Sequence, residues 1–475
     1  MVMAAAGEMH RDGELWPLLL EAVSVHNVLP LTSSCNMNCV FCSHRGNPPS
    51  VQTFSFPPLS LPLLRELIPF LDGNRKIVIG ESTTRLCEGE PLTHPHLMPV
   101  LKEIREIFPR APLQLTTNAS LLRRDVVKEL AAIFFRGGLE LVISLNCISK
   151  EMRAEVMGDP KPGEALRGVA LLEEESISFH GSVVALPHLT GWEELQKTLV
   201  FLKEAGALTS RIFLPGFTRF TSTEKLCFSS STWKEVLVFL RELAEQIEYT
   251  LIPEPPFKED LQATVEGVIA STPASRDGIR RGDIIKKVDG REVFSGVEAF
   301  FKIRDSADPL LEIRRVSSGV EGGVGGAKNY FQGKEFSLTK KAGETSGLVI
   351  FYDLPSNTVD DVRREIRRHR AVSPLLMTSR AAAPLWKAVL RGGFLPTATG
   401  LEIVENHFWG GTICCAGLLT VSDIELHLQR LPSGAEGPDL VIIPISPFDR
   451  QGRDLLGRSR EELPLLLPQV SFSFL

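Results

Sequence analysis

Thr32-Ser33-Ser34-Cys35-Asn36-Met37-Asn38-Cys39-Val40-Phe41-Cys42 sets three cysteines in the spacing CxxxCxxC. An apolar, β-prone run at residues 28–31 comes directly before it, so the stretch reads as a loop at the C-terminal end of a strand. A compact loop can fold three thiolates around one four-iron cubane, leaving one iron without a protein ligand. An open coordination position is what a catalytic metal needs, by analogy with zinc. The alternative is a zinc site or three unrelated thiols. Zinc sites pair CxxC with a second CxxC or a His pair, and none is obvious here.

Working outward, residues 24–255 alternate short β-rich runs with amphipathic helical stretches. The strands expected are 28–31, 76–79, 113–116, 139–144, 182–185 and 211–214. The helices expected between and after them are 61–70, 96–107, 124–132, 163–175, 192–205 and 232–246. Alternation at this spacing implies a parallel sheet with crossover helices. Six such units fit a partial (β/α)6 barrel, with chemistry at the C-terminal strand ends. The fold class expected is therefore α/β, with two further domains after the barrel.

The cysteine loop, with an aromatic residue before its last cysteine, resembles the radical S-adenosylmethionine superfamily. Three further segments agree in order and spacing. Glu88-Gly89-Glu90-Pro91 is similar to that family's GGEP motif, which contacts the methionyl amino group; Glu88 stands where Gly is usual. Thr116-Thr117-Asn118 resembles its TNG segment. Ser144-Leu145-Asn146 sits where members place polar contacts to the ribose or carboxylate.

The resemblance implies that Cys35, Cys39 and Cys42 bind a [4Fe-4S] cluster, with S-adenosylmethionine chelating the fourth iron. It implies cofactor contacts at Phe41, Glu88, Gly89, Glu90, Pro91, Asn118, Ser144 and Asn146. The activity implied is reductive cleavage to methionine and a 5′-deoxyadenosyl radical that abstracts hydrogen from a substrate. A reductase or a ferredoxin- or flavodoxin-type donor would supply the electron. Cys87, His94, His96, His44 and Arg45 lie near these motifs. Cys87 is read first as a small buried hydrophobe, and His94 and His96 as the lead-in to the next helix.

Ile252-Pro253-Glu254-Pro255-Pro256 reads as a stiff linker and a domain boundary. After it, the spacing P-A-x-x-x-G-I-x-x-G-D-x-I over 273–285, with a hairpin at Asp289-Gly290, resembles a PDZ domain. The order looks circularly permuted, so that a carboxylate-binding loop comes last, at Gly347-Leu348-Val349-Ile350. Such a loop takes a peptide or protein C-terminus by strand addition. A PDZ that only packs on its neighbours is the alternative. The stretch 317–326 reads as a flexible glycine-rich loop.

Beyond 357, an acidic-to-basic helix over 358–369 opens the last part. Its arginines, 363, 364, 367, 368 and 370, interleave with Asp361 and Glu365 and read as a solvated face. Val404-Glu405-Asn406-His407-Phe408-Trp409-Gly410-Gly411-Thr412 and Ala416-Gly417-Leu418-Leu419-Thr420 resemble domain of unknown function 512. That domain belongs to an uncharacterised family of iron–sulfur oxidoreductases that also carry PDZ and radical S-adenosylmethionine parts. Cys414 and Cys415 sit on an apolar, strand-like run, where alternation would send them to opposite faces.

The resulting division is a lead-in at 1–24, the barrel at 25–255, the PDZ-like domain at 258–355 and a C-terminal domain at 357–475. The total of 475 residues agrees with about three domains at roughly 150 residues each. A composition of 43% hydrophobic and 23% charged residues excludes a disordered chain. Lys+Arg 52 against Asp+Glu 58 gives a net charge of −6, which does not point to nucleic acid. No apolar run approaches a membrane span, and no signal peptide is evident, so the location expected is cytoplasmic. A different class remains open: a peptide-binding adaptor whose cluster is structural or redox-sensing.

Overall fold

The computed structural model describes residues 15–475 apart from 43, 45, 52, 84, 222–225, 227, 319–328 and 433–436. Arg45, Cys227, most of the glycine-rich stretch and residues 1–14 of the lead-in therefore lie outside the described residues. The chain divides into two compact units, Met1–Ile247 and Glu248–Leu475.

The protein is mixed α/β. In the first unit, strands β1 (Ile77–Ile79), β2 (Leu113–Thr117), β3 (Leu139–Ser144), β4 (Phe179–Val184) and β5 (Ala207–Phe213) alternate with helices. Neighbouring strands from β1 to β5 pair parallel and in sequence order. The helix Leu97–Ile107 shows why the layers form. It buries Leu97, Val100, Leu101 and Ile104 on one stripe at helical spacing. Each such side chain contributes roughly 1.5–3 kcal/mol on full burial.

The register separates two faces. Ile77, Ile79, Leu113, Leu115, Leu141, Ile143, Val183 and Ile212 are fully buried. The alternate positions are largely polar and mostly half-exposed: Gln114, Thr116, Glu140, Ser144, His180, Ser182 and Arg211.

Two expectations change here. Residues 28–31 form no continuous strand. Val28 bridges Val78, and Leu29 N–H donates to Val78 O at 2.9 Å. The N–H of Leu31 is instead taken by the Glu88 carboxylate at 3.0 Å, which ends the ladder. The Pro-rich stretch is also not simply a linker. Leu251–Glu254 is strand β6, at the start of the second unit, with buried Leu251 and Pro253 alternating with half-buried neighbours.

In the second unit, β9 (Ile284–Val288) pairs with β7 (Ala263–Thr264), β10 (Arg291–Glu292) and β11 (Leu310–Ser318), and β11 pairs with β12 (Asn329–Ser337). Strand β13 (Leu348–Val349) pairs antiparallel with β8 (Gly267–Val268). These strands share a core of Val265, Ile285, Ala299, Leu311 and Ile313. A second sheet follows, of β14 (Pro374–Ser379), β15 (Gly400–Val404), β16 (Leu440–Ile443) and β17 (Ser471–Phe474), ordered β15-β14-β16-β17 and wholly parallel. Apolar clusters cover both of its faces, as a parallel sheet requires.

The arginines of the helix Ser356–His369 pair along it, Arg363 with Asp360, Arg364 with Asp361 and Arg368 with Glu365. Cys414 and Cys415 are not on a strand. They follow Gly410 and Gly411, both at positive φ, in a loop that leads into a short 3-10 turn at Ala416–Leu418. The paired glycines turn the backbone out of extended geometry. Cys414 is buried and Cys415 exposed.

Candidate active site

The cysteine loop is clamped by three segments distant in sequence. On one side lies the turn after β1. The Gly89 N–H donates to Thr32 O at 2.7 Å, and the Glu90 N–H to Ser34 O at 2.9 Å. A Cβ on Gly89 would collide with the Ser34 carbonyl, so only glycine permits this approach. On another side, Asn38 and Val40 N–H donate to Met157 O at 2.8 Å and Val156 O at 2.9 Å, the last carbonyls of the helix Lys150–Met157. Gly158 caps that helix at φ 57°, and a Cβ there would lie 2.8 Å from Asn38 Cβ. The third clamp is the end of β2. Asn118 Nδ2 donates to Asn36 Oδ1 at 2.9 Å, and Asn36 Nδ2 to Ser120 Oγ at 2.8 Å.

Glu90 ties two of these clamps together. Its buried carboxylate accepts from Thr117 Oγ1 at 2.6 Å, Asn118 N at 2.8 Å and Leu92 N at 3.1 Å. Burial raises its pKa, against these three bonds. Pro91 follows, buried, at the start of a 3-10 turn. Glu88 faces differently. Burial, its main perturbation, pushes its carboxyl up to about 8 although Leu31 and Thr32 N–H both donate to it. His44 Nε2 meets the Glu88 carbonyl at 3.2 Å and Ser82 Oγ at 3.1 Å. Phe41 is half-buried in the turn before Cys42.

Asn146, past the end of β3, accepts from Val184 N at 2.6 Å through Oδ1, which ties β3 to β4. Ser144 stands beside Ser182 on the half-exposed sheet face. His94 is committed elsewhere: Nε2 contacts Leu59 O at 2.9 Å and Nδ1 accepts from His96 N at 3.1 Å. Both ring nitrogens are thereby used. Cys87 is buried, its thiol bonded to the hydroxyls of Thr53 and Ser55, and burial raises its pKa.

The thiols themselves fit a multi-iron group. Among the described residues, no three His, Cys, Asp or Glu side chains converge as a single ion needs. Yet Cys35 and Cys42 both press on Cys39, whose thiol is pushed up to about 12 chiefly by burial, with Arg153 opposing. Cys35 reaches the surface, but its sulfur is hemmed in by the loop, and that desolvation leads in raising its pKa. The desolvated thiols of Cys35 and Cys39 resist ionising side by side, and an iron group bound there would supply the positive charge that favours it.

Arg153 was not singled out from sequence. It is fully buried, paired with Asp159 at 2.9 Å, and donates to Cys147 O at 3.2 Å. A lone arginine on an amphipathic stretch gives no such signal in sequence. Asn36, lying between two cysteines with Asn118 following a strand, gave a weak one.

A family model for the Radical SAM superfamily matches residues 29–202. Over 185 residues the chain is 31% identical to an AdoMet-dependent heme synthase of Methanosarcina barkeri, covering 38% of this chain and 48% of that protein. Over 132 residues it is 30% identical to a GTP 3′,8-cyclase of Microcystis aeruginosa, covering 28% and 37%. The chain thus spans about half or less of the curated relatives it matches. Similar solved structures include Streptococcus suis SuiB, with a TM-score of 0.37, 16% identity and 48% of each chain covered. Another is anSMEcpe with bound AdoMet and Cp18Cys peptide, at 0.35 and 15%, covering 47% of this chain and 62% of that one. Residues 29–202 belong to the Radical SAM superfamily and form a radical SAM enzyme domain, whose cofactors are a [4Fe-4S] cluster and S-adenosylmethionine.

Proposed function

We propose that the chain is a [4Fe-4S] enzyme that cleaves S-adenosylmethionine reductively and abstracts hydrogen from a substrate, with Cys35, Cys39 and Cys42 holding the cluster. The observation that carries this is the threefold clamping of the cysteine loop by Gly89-Glu90, Asn118 and the Val156–Met157 carbonyls. When bound, the cluster and S-adenosylmethionine supply one electron and a 5′-deoxyadenosyl radical. The protein's share is positioning. Backbone groups of Glu88, Gly89, Glu90 and Pro91 line the methionyl amino group, and Asn118, Ser144 and Asn146 serve the ribose and carboxylate. Phe41 packs by the adenine. The Glu90 carboxylate does not reach the cofactor in this reading; it is consumed in holding the loop.

Anaerobic reconstitution of the full chain should load about four irons and four sulfides, and reduced protein with S-adenosylmethionine should release 5′-deoxyadenosine. A stable cluster with no cleavage would favour an adaptor with a structural or redox-sensing cluster. We read the electron donor as a reductase or a ferredoxin- or flavodoxin-type protein. We read the compartment as the cytoplasm. Among the described residues no helix is long and apolar enough to cross a membrane.

We further read residues 258–355 as PDZ-like and 357–475 as domain of unknown function 512. Gly347 holds φ 81°, and a Cβ there would collide with Thr272. Leu348 and Val349 pair with Val268 and Gly267. The N–H groups of Gly347 and Leu348 reach only Thr345 Oγ1 at 3.4 Å and Ser346 Oγ at 3.3 Å, long bonds that a peptide carboxylate could replace. This supports a peptide or protein C-terminus bound at Gly347, Leu348, Val349 and Ile350. Fluorescence anisotropy with C-terminal peptides, free and amidated, tests it: only the free carboxylate should bind.

A further inference from the structure

The half-exposed face of the first unit's sheet holds a carboxylate that the cofactor reading does not use. Glu81 lies just past the end of β1, and its backbone is fixed on both sides. Gly80 before it sits at φ 86°, where a Cβ would collide with the Thr116 carbonyl, so glycine lets the chain turn closely over β2. Ser82 after it accepts the Glu88 N–H at 2.9 Å and meets His44 Nε2 at 3.1 Å. The Glu81 side chain then folds onto β2. Its Oε1 accepts from Gln114 Nε2 at 2.6 Å and from Thr116 Oγ1 at 3.2 Å, two positions on the same face of that strand.

Both donors are neutral, and both go to one oxygen. A carboxylate offers about four acceptor directions over its two oxygens. Among the described residues, Oε2 has no hydrogen-bond partner and no cation pairs with Glu81. Glu140, on β3 and the same face, is the contrast: Lys76 Nζ pairs with it at 2.6 Å. Gln114 stands between the two acids, accepting from Lys76 on Oε1 at 3.5 Å while giving Nε2 to Glu81. Lys76 is thereby committed, and the charge of Glu81 is left unbalanced. Across the sheet, Thr116 pairs with Val142, and Val142 with His180. Val142 is buried, and His180 Nδ1 meets Thr209 Oγ1 at 2.7 Å. At roughly 4.8 Å per strand, His180 lies about 10 Å from Thr116. A small apolar floor thus borders the carboxylate.

We propose that Glu81 anchors a positively charged group of the substrate, a substituted ammonium or a guanidinium, with the adjoining alkyl part lying on Val142. The proposal rests on the reading of the domain as an S-adenosylmethionine-cleaving enzyme. Both cations carry only donors, which match an acceptor with lone pairs to spare. Gln114 and Thr116 hold the carboxylate in advance, so little side-chain freedom is lost on binding. The opposite face of the sheet is buried among apolar residues, so the cation approaches from the side of Gln114 and Thr116. Thr116 leads directly into Thr117 and Asn118, which bond Glu90 and the cysteine loop. A cation held on Glu81 therefore sets the rest of the substrate beside the end of β2 that grips the thiols.

The test is carboxyl labelling of the reconstituted full chain by a carbodiimide and glycine ethyl ester, read at Glu81 by mass spectrometry. The probes are trimethylammonium and methylguanidinium chlorides, against sodium chloride at equal ionic strength. The labelling rate should fall about threefold at a probe concentration twice its dissociation constant, and the better protector tells ammonium from guanidinium. A Gln114→Leu/Thr116→Val variant removes both donors at nearly constant shape and should lose much of that protection, its fold checked by circular dichroism. Glu81 labelled as fast with both probes as with sodium chloride, or wholly unlabelled, would overturn the proposal. So would protection by S-adenosylmethionine but by neither probe, which would assign Glu81 to the cofactor. A separate 5′-deoxyadenosine assay keeps the two readings apart. Cleavage without probe protection removes only the anchor, and protection without cleavage removes the enzyme reading and the substrate role with it.

Discussion

The carboxylate of Glu90 accepts the backbone N–H of Asn118 at 2.8 Å, joining the turn after β1 to the end of β2. Both partners also reach the cysteine loop, Glu90 through its own N–H to Ser34 and Asn118 through its amide to Asn36. One buried acid thus fixes the spacing of two clamps on the thiols. Glu90→Ala would strand the Thr117 hydroxyl and the Asn118 and Leu92 N–H groups. At about 1–3 kcal/mol for an unsatisfied buried group, with some relaxation, a loss of roughly 2–5 kcal/mol is expected. Urea unfolding of the apo protein reads it. Glu90→Gln keeps an acceptor oxygen and should lose less than half as much; equal losses would mean the hydrogen bonds are not the cause.

Gly89 makes the other contact of that turn by lacking a side chain. In Gly89→Ala the new methyl meets the Ser34 carbonyl, backbone that cannot swing aside. Overpacking of this kind costs about 1–3 kcal/mol, and here the strain falls on the loop that carries Cys35. Iron bound on limited reconstitution should drop roughly tenfold for each 1.4 kcal/mol. Gly46→Ala is the control, since nothing lies within 4 Å of that position. Equal iron binding in the two variants would show that the close approach does not matter to the thiols.

How much of this was readable beforehand follows from where each interaction is encoded. The three cysteines, the Glu-Gly-Glu-Pro turn and Asn118 are local patterns, the last two following strands β1 and β2 whose apolar character also shows in sequence. The clamps between them are not local. Asn36 meets Asn118 across 82 positions, and Glu88 reaches Leu31 across 57, so only the folded sheet reveals that Glu88 faces the backbone. The Pro-rich stretch misled because proline is punctuation in most contexts, yet Leu251–Glu254 form a strand. The Cys414-Cys415 run misled because apolar alternation outweighed the Gly410-Gly411 signal before it.

Arg153 and Asp159 test a long-range support of the same loop. The pair is fully buried; Arg153 belongs to the helix whose last carbonyls receive Asn38 and Val40, and Asp159 follows just past its end. Removing one member leaves a buried charge without its partner, which costs about 3–5 kcal/mol. Asp159→Ala should therefore unfold at much lower urea than the parent. Arg153→Met/Asp159→Leu should recover most of the loss, because an apolar pair avoids desolvating two ions. If the double variant were as unstable as the single one, packing and the Cys147 carbonyl bond would be the main contribution.

Glu88 gives the chain a pH dependence whose sign can be worked out. An ordinary glutamate carboxyl titrates near 4.5, and burial lifts this one to about 8 in the folded protein. Between those values the native state keeps a proton that the unfolded chain has released. The stabilisation is therefore fully present below about pH 4.5 and is lost as pH rises through about 8. At about 1.4 kcal/mol per pKa unit, discounted for relaxation, the loss is on the order of 2–4 kcal/mol. Glu88→Gln removes the titration while keeping an oxygen for the Leu31 N–H. The difference in unfolding free energy between parent and variant, measured by urea on apo protein from pH 5 to 9, should move against the parent as pH climbs. A difference that stays level across that range would mean the two N–H donors hold Glu88 ionised throughout.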